Sequence, residues 1–552
     1  MEKSMSKSKF QWGSPLLMGD NTTPGLQLPP EIKAVMPDIF KACRDFGLDF
    51  YPTIVQMLTY DEISEVAAYG GFPVRFPHWK WGMEYNELQQ GYEHGMHRIY
   101  EMVVNTCPCY IYCLDSNTLV DNVTVIAHAL GHNDFFKNNT FFEKTSQNMM
   151  NELANHGTRV RKYMARWGKE RVTEFLDHVL RIETLIDPAN AWVQKEFKEP
   201  VIRDKREYHF PHRLKVKDGH EYMDDYINPK EWTEEQQEDI RRAEVAKEIG
   251  ILKEPTKDIL RFIRDHAPLL PWQADIVDMV YEEEMYFSPQ RPTKMANEGW
   301  ASYIDFNIMS RKGFVNLGQP NIDSYNAKTG ETTQIPQCGI VNYAIHKMGV
   351  LGGKYSMNPY KLGFCLFMDI EERWNKGQFG REYDDCDNLV EKANWDKNVG
   401  KGHEKVLEVR KYYNDFTMIS EFFTAEFCNK YEFFEWEHRP NGEYVLLSRD
   451  HKKIRKSLMM NYLNGGLPDI RLVDDNHLNS GSLFLQHQHD GRPLYGKYTR
   501  DVLLSLRRLW GANKEVSLAT KNSDGQEVVL HTHGPDTVEI TNRTDYEKVH
   551  SL

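Results

Sequence analysis

The stretch from Leu119 to Asp134 limits most strongly how this chain can fold. Leu119, Val120, Val123, Val125, Ile126, Ala127, Ala129 and Leu130 leave almost no polar face, so a helix here is apolar all round and has to be enclosed by other elements. Thr118, with Asp121 three residues on, marks its start, because side chains at that spacing cap each other's backbone N–H groups. Such a helix has no wet side to receive His128 and His132. At i and i+4 their Cβ atoms lie about 6 Å apart on one face, the separation at which two imidazoles hold one metal ion. Gly131 removes a side chain where another backbone or a ligand comes close. The structural alternative is a pair of core histidines satisfied by carbonyls or carboxylates, and the rest of the chain has to decide between the two.

With 552 residues the chain is long enough for two or more domains and a large core. Aromatic residues at 12% argue against disorder, and a formal charge of -13 argues against a general nucleic-acid or anionic-membrane binder. The eight cysteines form neither paired zinc knuckles nor a disulfide framework, which points to a reducing cytoplasm. Three of them, Cys107, Cys109 and Cys113, fall in a β-branched and aromatic run that reads as a strand beneath the histidine helix. No stretch reaches the ~18 consecutive apolar residues of a membrane helix, and residues 1–17 lack an apolar leader core.

In order along the chain, residues 1–30 read as a flexible lead-in and 31–430 as a mainly helical domain with a buried polar, metal-type site. A charged surface excursion is expected over 198–257. Residues 431–552 read as a smaller α+β domain, with strands over 431–436, 444–448, 469–473, 482–486, 515–520 and 527–531. Within the helical domain a helix over 143–167 carries His156, a candidate further metal ligand if it packs antiparallel to the first helix. A later helix over 293–303 embeds Glu298 between Asn297 and Gly299-Trp300-Ala301. A buried unpaired carboxylate is costly, so Glu298 must meet a cation, a histidine or a metal. His128, His132 and Glu298 together make a His2Glu set with coordination positions left open.

Several of these runs occur together and in order in a known family. Gly47-Leu48-Asp49-Phe50-Tyr51-Pro52, Phe76-Pro77-His78-Trp79, the run from Ile126 through His128 and His132 to Asn139, Ala267 to Gln273, and Asn297-Glu298-Gly299-Trp300-Ala301-Ser302-Tyr303 resemble the SpoVR family, stage V sporulation protein R. Asn358 to Gly363, Asp369 to Trp374 and Leu509-Trp510-Gly511 extend the match, which runs from about Glu31 to Thr532. The resemblance implies a cytoplasmic protein associated, in spore formers, with making the peptidoglycan of the spore cortex. It also implies partners: a PrkA-type serine kinase and a protein with a von Willebrand A domain. Two departures stand out. The family continues its Glu-Gly-Trp-Ala motif with a histidine, where this chain has Ile304-Asp305; Asp305, seven residues from Glu298, is expected as its replacement, a ligand or an orienting group. The segment 313–355 is also longer and richer in Gly and Asn, which points to a remodelled loop near the site.

The chemistry expected from these residues is metal-dependent and hydrolase-like, with zinc favoured over iron and a metal-bound hydroxide as nucleophile. The zincin pattern places a Glu base directly after the first histidine, and here that position is Ala129. The base is therefore expected from Glu283, Asp305 or Asp134. A non-haem iron oxidoreductase shares the His-His-carboxylate set. A non-enzymatic regulator or scaffold for the kinase and the von Willebrand A protein would use the same buried cluster only to hold the core.

Overall fold

The structure, a computed structural model, describes residues 28–93, 101–192, 252, 254–311, 321–326, 331–336, 343, 347, 350–352, 355, 357–439, 442–511, 513–534 and 536–550. The chain forms two compact units, Met1–Lys162 with Tyr286–Gly466, and Tyr163–Met285 with Leu467–Leu552. The first is mainly helical and the second is α+β, as expected. The boundary expected at 431 lies inside the first unit, however, and the segment 163–285 belongs with the C-terminal sheet. The reason is packing: Ile454 and Leu458, beyond the expected boundary, bury themselves in the large core that also holds Ile126, Trp300 and Phe423.

In the first unit a three-stranded sheet has Cys109–Leu114 at its centre, parallel to Thr53–Leu58 and antiparallel to Glu101–Val104. Strand side chains alternate between faces. Ile111 and Cys113 accordingly join the core around the histidine helix, while Tyr112 and Leu114 pack with Met149, Leu153, Phe72 and Tyr286 on the other side. The cysteines of this strand are small buried core residues.

The histidine helix spans Leu119–Asn138, and every residue from Asn122 to Phe136 is buried. Its Thr118/Asp121 capping box forms as read from the sequence. The polar residues at its far end fasten it to the rest of the unit. Asn133 accepts from Tyr51 N at 2.9 Å and donates to Tyr51 O at 3.1 Å and to Thr53 Oγ1 at 2.9 Å. Asn139 donates to the carbonyls of Arg410 and Tyr413.

The Glu298 helix, Lys294–Phe306, is sandwiched between the histidine helix and the helix Pro359–Lys376. Both contacts are at backbone distance. A Cβ on Gly131 would stand 2.8 Å from Ala301 Cα, one on Gly299 would stand 2.4 Å from the Gly363 carbonyl carbon, and one on Gly363 would stand 2.3 Å from Met295 O. Thr293 offers the Glu298 helix no side-chain cap. Asp415 does so from 119 and 120 residues away, accepting from Ala296 N at 2.8 Å and Met295 N at 2.9 Å. A carboxylate at a helix N-terminus meets both unpaired N–H groups and the positive end of the dipole.

The second unit is built on a five-stranded sheet in the order Thr537–Asn542, Glu527–His533, Val516–Lys521, Ser482–His487, Ile470–His477. The one parallel pair, Ser482–His487 with Val516–Lys521, is bridged by the helix Gly496–Trp510, which buries Leu503, Leu506 and Leu509. The strand over 537–542 and the closing helix Arg543–His550 were not legible in the sequence pattern. Most of the expected charged excursion over 198–257 lies outside the described residues. Its end is not a surface excursion: Thr256 exchanges backbone hydrogen bonds with Leu472 at 2.9 and 2.8 Å, extending the sheet.

The close approach of the Glu298 helix makes a direct test. Gly299→Ala is expected to lower the thermal midpoint of the first unit through overpacking of about 1–3 kcal/mol. Gly82→Ala, on the exposed helix Trp79–Glu93 with nothing within 4 Å of the new methyl, is expected to raise it by about 0.5–1 kcal/mol. Scanning calorimetry on both variants reads the contrast.

Candidate metal centre

The two helices that meet at Gly131 and Ala301 bring three side chains to one point. His128, His132 and Glu298 present donor atoms that all lie within 4.8 Å of one another, and this is the only such group of His, Cys, Asp and Glu among the described residues. Glu298 Oε2 stands 3.4 Å from His132 Nε2 and 3.7 Å from His128 Nε2. The two rings are 4.8 Å apart between centroids and inclined at 75°. Donors about 2.0–2.1 Å from one tetrahedral ion stand roughly 3.4 Å from each other, so the spacing fits a shared cation better than a direct hydrogen bond.

The far nitrogen of each ring is held. His128 Nδ1 lies 2.8 Å from Asp305 Oδ2, and His132 Nδ1 lies 2.8 Å from Asn297 Oδ1. A carboxylate and an amide oxygen can only accept, so both Nδ1 atoms carry a proton and both Nε2 atoms face Glu298. Three donor atoms then converge, and either a second proton on a ring, given to Glu298, or a cation has to lie among them. Burial resists ionisation of Glu298, but the charge of His132 and the contacts with both rings outweigh it and hold the carboxyl well below the usual range.

Asp305 is 1% exposed, so its charge also needs answering. Lys347 Nζ donates to Oδ2 at 2.7 Å and the Tyr343 hydroxyl donates to Oδ1 at 2.7 Å. Burial works against its ionisation, and Lys347 with His128 overcomes this, leaving the carboxyl below its ordinary value. Glu298 is the most exposed group of the three, with 19% of its side chain exposed, against 9% for His128 and 8% for His132.

Of the residues singled out in the sequence, the structure brings together His128, His132, Glu298 and Asp305, with Asp305 orienting His128. His156 does not join them. It is buried on the helix Met149–Trp167, whose Met149 and Leu153 pack on the opposite face of the three-stranded sheet and whose Gly157 abuts the Arg75 carbonyl. Asp134 is engaged away from the cluster: its Oδ1 accepts from Asp49 N and Arg410 Nη1 and its Oδ2 from Trp300 Nε1, at 2.7, 3.1 and 2.9 Å. Both oxygens of Asp305 are likewise engaged. Glu283 is buried in the second unit, on the helix Pro271–Phe287, and is not part of the cluster. Asn297, next to Glu298, was not among the expected site residues, nor were Tyr343 and Lys347, which lie in the segment 313–355 expected as a loop near the site. The segment 313–355 that carries these two lies largely outside the described residues.

Asp415, which caps the Glu298 helix, makes the unit's stability depend on pH. Burial pushes its carboxyl up to about 7, against the pull of the N–H groups of Ala296 and Met295, with the charge of Glu298 adding to the rise. A group held above its unfolded value, about 4 for Asp, contributes stability that is full below that value and is lost as pH rises through the folded one. Wild type is therefore expected to lose stability between pH 4 and 7 relative to Asp415→Asn, by an amount on the order of a few kcal/mol. Denaturant titrations of both proteins across that window check it.

Comparison with known proteins agrees with the motifs. The family model described as SpoVR like protein matches residues 27–467, and the model described as SpoVR-like C-terminal domain matches residues 468–523. The join falls beside Gly466, where the first compact unit ends. A curated relative, the uncharacterized protein YcgB of Escherichia coli, is 26% identical over 521 residues, covering 91% of this chain and 94% of that protein. No solved structure matches the chain. With one model matched over most of its length and the second over the first three strands of the sheet that follows, the chain belongs to the SpoVR family.

Proposed function

We propose that the first unit is a metal-dependent, hydrolase-like catalyst in which His128 Nε2, His132 Nε2 and Glu298 Oε2 hold one divalent ion, zinc in preference to iron. The observation that carries this reading is the convergence of three acceptor atoms, two of them on rings whose other nitrogen is already fixed. Structural zinc sites close with four protein ligands, whereas three ligands leave a place for water or substrate. Among the described residues only three converge, and the partial exposure of Glu298 leaves that place open to solvent. When bound, the ion supplies a water ionised near neutral pH and an electrophile for a carbonyl or phosphoryl oxygen.

The chain's own residues do the remainder. Asp305 and Asn297 keep the lone pairs of His128 and His132 aimed at one point. Ala129 stands at the zincin base position, and Asp134 and Asp305 are engaged with Arg410 and Lys347. The family's association with cortex peptidoglycan, a PrkA-type kinase and a von Willebrand A protein sets the context we propose, in the cytoplasm; no described helix is long and apolar enough to cross a membrane.

The test is elemental analysis of protein purified without a histidine tag. About one metal per chain is expected in wild type, with loss in folded His132→Ala and Glu298→Ala. Zinc supports hydrolysis. Iron, which suits the same His-His-carboxylate set, moves the reading to oxygen-dependent redox chemistry. No metal in wild type after reconstitution overturns both and leaves a scaffold for the kinase.

A further inference from the structure

We propose that Tyr343 and Lys347 are positioning residues for His128, acting through Asp305; this rests on the metal reading of the centre. Asp305 is the third member of a buried chain in which each link has one sense. Lys347 Nζ, which can only donate, reaches both Asp305 Oδ2 and the Ser302 carbonyl, at 2.7 and 3.2 Å. The Tyr343 hydroxyl takes Asp305 Oδ1 at 2.7 Å. With a donor on each oxygen, the carboxylate plane cannot turn about its own axis. Its Oδ2 is thereby presented to His128 Nδ1 at 2.8 Å, and the ring is held with Nε2 toward Glu298.

Three further observations support a role beyond filling space. Tyr343 and Lys347 are four residues apart, the spacing that puts two side chains on one helical face, and both are buried. Lys347 brings a full positive charge into a core where Asp305 is the carboxylate it meets at 2.7 Å. The two histidines are held differently: His132 by the neutral amide of Asn297, on the same helix as Glu298, and His128 by a carboxylate whose own position depends on a segment 38 and 42 residues away. The orientation of one ligand is therefore set within the helix pair, and that of the other is set from outside it. Outer partners of metal-bound histidines fix ring orientation and raise ligand basicity, and their loss typically weakens metal binding by about 10–100-fold.

The experiment compares Tyr343→Phe and Lys347→Met with wild type in full-length protein. It reads zinc affinity by chelator competition and the visible spectrum of the cobalt(II)-loaded protein, with folding checked by circular dichroism. Both variants are expected to bind zinc about tenfold or more weakly and to show a shifted cobalt spectrum. If Lys347→Met does not fold because Asp305 is left buried without its cation, the double variant Asp305→Asn/Lys347→Met removes both charges and carries the same expectation. Folded variants with wild-type affinity and spectrum would overturn the positioning role while leaving the metal reading intact. A wild type that takes up neither zinc nor cobalt removes the metal reading and this proposal with it.

Discussion

The contact between the backbones of Gly299 and Gly363, with the matching approach of Gly131 to Ala301, governs the first unit. Helices usually pack 8–10 Å apart because side chains stand between them. Here a glycine stands at each contact, Gly299 against Gly363 on one side of the Glu298 helix and Gly131 against Ala301 on the other, so the helices meet at backbone distance. The short carboxylate arm of Glu298 can then reach two imidazoles on the next helix, and Asp305, two turns along, can reach the back of one of them. A methyl group at any of these three glycines would push the helices apart.

The same unit shows how environment assigns different work to chemically alike groups. Asp134, Asp305, Glu298 and Asp415 are four acidic side chains set in one core. Asp134 is surrounded by donors from Asp49, Arg410 and Trp300 and ties the histidine helix to the loop before the sheet and to the helix Gly402–Tyr412. Burial nevertheless keeps its carboxyl raised to about 6, with Arg410 pulling the other way. Asp415 spends both oxygens on a helix N-terminus. Asp305 answers a lysine and orients a histidine. Glu298 faces the Nε2 atoms of two histidines and retains an exposed edge. Only the last has the geometry of a group that meets a ligand, and its partners distinguish it more than its burial does.

The polar residues that end the histidine helix follow the same logic. Asp134 was expected as a candidate base, and Asn133, Asn138 and Asn139 stand beside it at the end of the same run. In the fold they serve the backbone of 49–53 and the carbonyls of Arg410 and Tyr413. Buried polar networks of this kind specify one arrangement of a core because any other leaves several donors unmet. The centre thus rests on a frame whose hydrogen bonds leave little freedom to the helix carrying both histidines.

By itself the sequence determined the elements with strong periodicity and the residues whose chemistry forbids burial alone. The all-round apolar helix with its cap, the pair His128/His132, the need of Glu298 for a partner and the α+β character of the C-terminal part were all legible, because each follows from local spacing or from the cost of desolvating a charge. Tertiary structure alone decided which of the remaining polar residues share the site. His156 was placed on a helix whose Met149 and Leu153 pack against the other face of the sheet, and Asp134 was given to Arg410. Tyr343 and Lys347 were brought to Asp305 from the segment 313–355, whose composition pointed to a loop near the site but marked neither residue. The boundary between the units was likewise set by which apolar faces found each other, so 163–285 left its sequence neighbours for the C-terminal sheet. Contacts between residues tens to hundreds of positions apart carry no periodic trace in either partner, since a side chain's local pattern reports only which face it occupies and not what meets that face.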